Sequence, residues 1–212
     1  MATRGELIIE WARGWCISRG TAPPTAAGAG VRIALPKPSG ASRHILRVFG
    51  RIQIARLADE VTNAGSEIKV MGDSTELRAA LNGSWTSYAA CQLMTIFFTR
   101  NRVVLPDGYT FRIVRDGAIT IGMVLSADGE IASSGRLAPV GAYGVVDQVE
   151  TRAPHRRRGL ATAVMALLCN WAVDNDLRTG LLSATREGQA LYRQLSWITR
   201  GEVAGAVRTQ ST

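Results

Sequence analysis

Three consecutive arginines, Arg156, Arg157 and Arg158, are followed by Gly159, Leu160 and Ala161. The segment before them, VVDQVET, has the apolar, β-branched character of a strand, and Pro154 marks a turn. In the segment after them Leu160, Val164, Leu167, Leu168 and Trp171 share one helical face. The arginines therefore stand at the start of a helix. The helix dipole presents about half a positive charge there, and each cation costs roughly 0.3–1 kcal/mol. A bound anion reverses that sign, and the free N–H groups of a first helical turn suit phosphate oxygens. Gly159 and Ala161 leave little bulk between the backbone and such a ligand. The pattern points to a phosphate or diphosphate. A solvated basic patch on a helix end has the same sequence, so both readings stand at this level. The segment does not end in GKS or GKT, which argues against a nucleotide P-loop, and no G-x-G-x-x-G follows a strand.

Other reactive side chains are sparse. Cys16, Cys91 and Cys169 are far apart and sit among apolar neighbours. They read as buried free thiols in a reducing compartment. His44 and His155 are the only histidines, so no metal site is expected. His155 reads as a turn residue beside the anion.

The elements that would carry these residues are clearest after residue 100. The run from Tyr109 to Leu137 contains two Asp-Gly turns, Asp116-Gly117 and Asp128-Gly129, between alternating apolar segments. Asp-Gly is a strong hairpin signal, so three antiparallel strands are expected there, with a fourth in YGVVDQVET. A helix from about Leu160 to Leu177, a strand in GLLSA, a short helix in EGQALYRQL and a strand in WITRGEVAGAV follow. Before residue 100, Leu7 to Ile17 reads as a short amphipathic helix and Thr21 to Gly30 as a loop or linker. VRIALP, HILRVF, EIKVMG and YAACQLMTIFF read as strands. RIQIARLADEVTNAG reads as a helix stopped at Gly65. DSTELRAALNG reads as a short helix capped by Asp73 or Ser74 and closed by Gly83. The expected class is α+β, a mixed and mostly antiparallel sheet flanked by helices, with a smaller α/β N-terminal half. The division falls at 1–100 and 101–212.

Composition sets the outer limits. The 212 residues are 46% hydrophobic and 20% charged, the balance of a folded globular protein rather than a disordered tail or a disulfide scaffold. Twenty-five Lys+Arg against 17 Asp+Glu give a net charge of +8. Only Lys37 and Lys69 are lysines, and arginine is the better bidentate clamp for phosphate. An arginine-rich codon usage gives the same balance. No basic stripe is interleaved with aromatics, which argues against nucleic acid as a partner. Glu6 and Glu10 interrupt what a signal peptide would need as its apolar core, and no apolar run reaches the ~18 residues of a spanning helix. A cytoplasmic protein with no membrane partner is expected.

At this point the sequence resembles the GNAT superfamily, the acyl-CoA-dependent N-acetyltransferases. The family's pyrophosphate loop, Arg/Gln-x-x-Gly-x-Gly/Ala, is matched by Arg156, Gly159 and Ala161 after a strand and a turn. Its last helix commonly ends Leu-Tyr-x-x-Leu-Gly-Phe/Trp. Leu191, Tyr192, Leu195 and Trp197 fit that ending, with Ser196 in place of glycine. The resemblance covers about Leu105 to Val207. It implies the GNAT-type sheet and acetyl-CoA as cosubstrate, with the pantetheine amides pairing to the fourth strand at Val149 and Thr151. It also implies that backbone N–H groups of Arg157, Arg158, Gly159, Leu160 and Ala161 hold the diphosphate, with Arg156 adding charge.

By the same resemblance an amine attacks the thioester directly, a strand N–H polarises the carbonyl, and Tyr192 protonates the leaving thiolate. Asp147, then Glu150, are the candidates for the base, with an unassisted route through solvent as the remainder. The acceptor is expected to be a small-molecule primary amine. A protein lysine, an aminoacyl-tRNA, or a non-catalytic CoA-binding or regulatory module are the alternatives. The helices that usually lie between the family's first two strands are missing, because YTFRIVRD passes through Asp116-Gly117 straight into AITIGMVL. The expectation is that residues 1–100 wall the acceptor side and are a degenerate GNAT-like repeat. The same surface of a second copy, in a homodimer, would serve equally.

Overall fold

The computed structural model describes residues 2–37 and 40–209. In chain order the first stretch holds α1 (Arg4–Arg19), β1 (Thr25–Ala27), β2 (Gly30–Ala34), β3 (Ser42–Leu46), α2 (Arg51–Glu60), β4 (Glu67–Met71), α3 (Ser74–Ala80) and β5 (Trp85–Phe97). The second holds β6 (Thr110–Asp116), β7 (Ile119–Leu125), β8 (Ile131–Val140), β9 (Tyr143–Thr151), α4 (Leu160–Asp174), β10 (Thr179–Ala184), α5 (Gln189–Gln194) and β11 (Ile198–Arg208). Among the described residues these strands form one sheet, in the order β1-β2-β3-β4-β11-β5-β10-β9-β8-β7-β6. Only β3/β4 and β9/β10 are parallel, each joined by a crossover helix, α2 or α4. The α+β class and the mostly antiparallel sheet are as the sequence predicts.

The two stretches exchange strands at the centre. β5 lies between β10 and β11, and β11 lies between β5 and β4. On each side of this seam the pattern is the same: a parallel pair around a crossover helix, then a strand borrowed from the other stretch. Residues 1–100 and 101–212 therefore share hydrogen bonds through both borrowed strands.

Successive residues of a strand face opposite sides, and the core divides accordingly. Met94 and Leu182 pack under α4, whereas their neighbours Leu93 and Leu181 pack under α1. Ile68 and Val70 pack under α2 and α3, on the α4 side of the sheet. The opposite face is covered by α1, which touches β2 and β3 on one flank and β8 and β9 on the other, so the sheet curves around it. Enclosure explains a departure from expectation. Leu7, Ile8, Ile9, Trp11, Ala12 and Cys16 are all buried, on several sides of the helix, so α1 is apolar around most of its girth rather than along one stripe. Its start is fixed by a capping box, with Thr3 Oγ1 accepting from Glu6 N at 3.2 Å and Glu6 accepting from Thr3 N at 2.7 Å. Gly20, at φ 63°, ends it. Gly14 permits the closest approach: a Cβ there would lie 2.2 Å from Val145 Cγ2 of β9.

Other boundaries moved. Part of the expected linker is β1, paired with β2 from Thr25↔Arg32 to Ala27↔Gly30. α2 stops at Glu60, with Val61 as its cap, short of Gly65. Asp73 caps α3 as expected, accepting from Thr75 N and Glu76 N, but the helix closes at Leu81 rather than Gly83. Cys16 and Cys169 are buried and Cys91 half-buried, and all three are free thiols.

Candidate active site

β9 and β10 run parallel only from Tyr143↔Thr179 to Val145↔Leu181. Beyond that point β10 stays with β5 as far as Ala184↔Gln92, and β9 stays with β8 as far as Thr151↔Ser133. The two strands part like a wedge, leaving the β10-facing backbone edge of β9 from Val146 onward without a strand partner. A bulge sharpens the divergence. The β8–β9 register jumps between Ser134↔Glu150 and Arg136↔Asp147, and Gln148 sits there at φ 53°.

The wedge opens toward the start of α4. A 3-10 turn, Ala153–His155, leads from β9 into the arginines. Arg157 takes φ 61° and Gly159 φ 75°. Left-handed residues alternating with others turn successive N–H groups inward, the concave arrangement that binds anions. Gly159 is the N-cap of α4 and supplies no side-chain cap, so the donors of the first turn remain available. A groove of about 610 Å³ runs along this turn, with Val149, Glu150 and Thr151 on one wall. Arg156, Arg157, Gly159, Leu160 and Ala161 line its base. Eight of the sequence-predicted residues thus meet in one groove. Arg158 is set apart: its Nη1 donates to Tyr109 Oη at 3.3 Å, and the same hydroxyl lies 2.9 Å from His155 Nδ1. Arg156 bends back, its Nε donating to the Thr151 carbonyl at 3.1 Å.

Tyr192 projects from α5 into the core beneath α4, edge-on to Trp197 with ring centroids 6.1 Å apart. Burial, then the negative charge of Asp147, push its phenol up to about 12. It therefore keeps its proton at neutral pH and remains a donor. Ser196, where the family's glycine is usual, is held at φ 62°, a conformation that costs a non-glycine residue about 1–2 kcal/mol.

Asp147 faces the other side, toward the C-terminal end of α1. Its carboxylate accepts from Arg19 Nε at 2.7 Å, from Arg19 Nη2 at 3.3 Å and from Ser18 Oγ at 3.0 Å. Arg136 Nη1 donates to the Ser18 carbonyl at 2.9 Å. With its amide oxygen turned toward them, Gln148 accepts from Arg136 and Arg19 at 3.1 and 3.2 Å. The Asp147 side chain is 17% exposed. Glu150 is exposed and lines the groove.

Ser18, Arg19, Arg136 and Gln148 were missed in the sequence reading, as was the groove-lining place of Leu191 and Gln194 on α5. Ser18 and Asp147 are 129 positions apart, and no local pattern links them. The α5 pair had a signal, since both flank Tyr192 within the recognised helix ending.

Residues 87–197, more than half of the chain, match the family model for the acetyltransferase (GNAT) family. No curated protein matches the chain. Among solved structures, a GCN5-related N-acetyltransferase from Kribbella flavida superposes with a TM-score of 0.72 at 15% identity, covering 100% of this chain and 97% of that one. A GCN5-related N-acetyltransferase from Sphaerobacter thermophilus gives 0.61 at 15% identity, covering 87% and 79%. A tandem GNAT protein from the clavulanic acid biosynthesis pathway gives 0.58 at 10% identity, covering 99% and 96%. At these identities the structural likeness speaks for the fold, while the matched family model speaks for descent. The chain belongs to the GNAT family of acetyltransferases.

Proposed function

We propose that this protein moves an acetyl group from acetyl-CoA to a primary amine of a small molecule, by direct attack in a ternary complex. The observation that carries this reading is the wedge between β9 and β10, which leads to the uncapped, arginine-flanked start of α4. N–H groups from Arg157 to Ala161 would hold the diphosphate, with Arg156 and Arg157 adding charge. The free edge of β9 at Val149 and Thr151 would pair with the amides of the pantetheine arm as an added strand does.

The chemistry needs one group that gives a proton and one that takes a proton. The amine nitrogen attacks the thioester carbon and the carbon–sulfur bond breaks. Tyr192 supplies a proton to the departing thiolate, and Asp147 receives the one released from nitrogen. Asp147 can do so only if Arg19 gives way, since the ion pair occupies both carboxylate oxygens. Glu150 or solvent is the alternative route. The acceptor would enter on the α1 side, so residues 1–100 contribute its wall through Ser18 and Arg19. The matching pattern on the two sides of the β5–β11 seam supports reading those residues as a degenerate repeat of the same fold. Its own parallel pair stays closed through Leu46↔Val70, the last residue of β3, and so offers no comparable wedge.

The occupied carboxylate favours one other reading, a module that binds CoA without turnover. Mass spectrometry of an amine panel incubated with protein and acetyl-CoA separates the two. Acetylated amine is expected, and intact amine throughout would leave the binding module.

A further inference from the structure

At the end of α1 remote from Asp147 lies a second cavity of about 340 Å³, enclosed by the first turn of α1 and the adjoining ends of β5, β9, β10 and β11. The 16 residues of α1 span about 24 Å at 1.5 Å per residue, so this cavity is separate from the acceptor side of the wedge. We infer that it binds a small organic carboxylate with an apolar body.

Two guanidinium groups line it, Arg4 from α1 and Arg200 from β11. Arg200 stands at an irregularity where the β5–β11 register jumps between Thr199 and Gly201. Its Nε donates to Thr95 Oγ1 at 2.7 Å, and Thr95 is only 2% exposed. That bond fixes the plane of the guanidinium and leaves its two terminal nitrogens free to meet a carboxylate side by side. Arg4 lies over Gly201, beside Arg200: a Cβ built there would be 3.8 Å from Arg4 Nη1. Among the described residues neither arginine forms an ion pair. Two cations facing one cavity without a counter-charge is a repulsive arrangement that an anion relieves.

The remaining walls select the body of the ligand. Phe97 is 64% exposed and lines the cavity together with Leu7 and half-buried Tyr143. A large apolar side chain left open in a cavity lined by two guanidiniums is the surface that a bound apolar group would cover. The volume lies within the ~300–1,000 Å³ of small-ligand pockets. Farther along β11 the space over the strand is filled. Tyr88 lies over Gly205, and its hydroxyl donates to Glu67, which is paired with Arg43.

Calorimetry of the full chain with phenylacetate, 3-phenylpropionate and 4-methylpentanoate tests the inference, with 2-phenylethanol as the neutral control. At least one of the acids is expected to bind with a dissociation constant below about 1 mM, and the alcohol not to bind. Arg200→Ala should weaken binding at least tenfold and Arg200→Lys less, since lysine keeps the charge but loses the fork. Should Arg200→Ala not fold, exposed Arg4→Ala provides the same test. No binding by any of the three acids at 10 mM overturns the inference. So does binding that the alcohol matches or that the Arg4→Ala variant retains in full.

Discussion

Arg19 grips Asp147 across 128 positions of sequence, with Nε 2.7 Å from Oδ2, and so ties the last turn of α1 to the strand that borders the wedge. The pair is partly exposed and contributes on the order of 1 kcal/mol or less to stability. In the proposed reaction its consequence is for the site: one contact would both occupy the candidate base and set the acceptor-side wall. Arg19→Ala should leave acetyl-CoA affinity within about twofold and change the KM for the amine several-fold. Asp147→Asn should lower kcat/KM by roughly 10²–10⁴-fold, the range for a lost general base. Steady-state kinetics on both variants check this. An unchanged amine KM in Arg19→Ala would remove α1 from the acceptor site.

In the proposed complex, Gly159 leaves room for the diphosphate on the helix start. It lies at φ 75°, and a Cβ there would meet nothing within 4 Å, so the fold has room for a side chain even though the backbone conformation does not suit one. Gly159→Val should cost about 1–2 kcal/mol in stability, from the left-handed conformation. It should weaken CoA binding by at least about tenfold, because the branched side chain stands between ligand and N–H groups. Calorimetry with CoA, set beside a thermal melt, reads both. Unchanged affinity would move the diphosphate elsewhere.

Loss of the phenol tests the proposed proton donor. Tyr192→Phe keeps the ring against Trp197 and removes only the hydroxyl. Turnover at saturating substrates should fall roughly 10- to 1000-fold, with little change in CoA affinity. Equal turnover would leave Tyr192 a packing residue.

Local chemistry made much of this legible in the sequence. The Asp-Gly pairs gave hairpins with Gly117 and Gly129 at φ 56° and 84°, and VVDQVET to Leu160 folded as strand, turn and helix. What stayed hidden depends on distant parts of the chain. Nothing in YAACQLMTIFF says that its partners will be β10 and β11, because a buried strand carries the same apolar pattern whichever neighbours it takes. The wedge is a place where two strands cease to pair, and composition does not record that. The small residues of Thr25–Ala27 read as linker because β1 is short and at the sheet edge, with little side chain to bury.

His44 links stability to acidity. It sits in β3 with Nε2 2.9 Å from Ser42 Oγ, and burial, aided by the charge of Arg32, lowers its pKa to about 4. The unfolded chain takes up the proton near pH 6.5, whereas the folded chain resists until about pH 4. Stability is therefore full above about pH 6.5 and falls as the pH drops toward 4, by about 2–3 kcal/mol from this group. Urea denaturation at pH 7 and pH 4.5 should show a smaller loss in His44→Gln than in the wild type. Identical losses would contradict the assignment.

The proposed reaction is amine-dependent cleavage of acetyl-CoA in the groove at the start of α4. Thiol release from acetyl-CoA, followed with and without a panel of primary amines, tests it most directly when wild type and Gly159→Val are compared. At least one amine should raise wild-type thiol release at least about tenfold above the amine-free rate, and Gly159→Val should lose that increment. Release that no amine accelerates, from wild-type protein that binds CoA, would rule this reaction out.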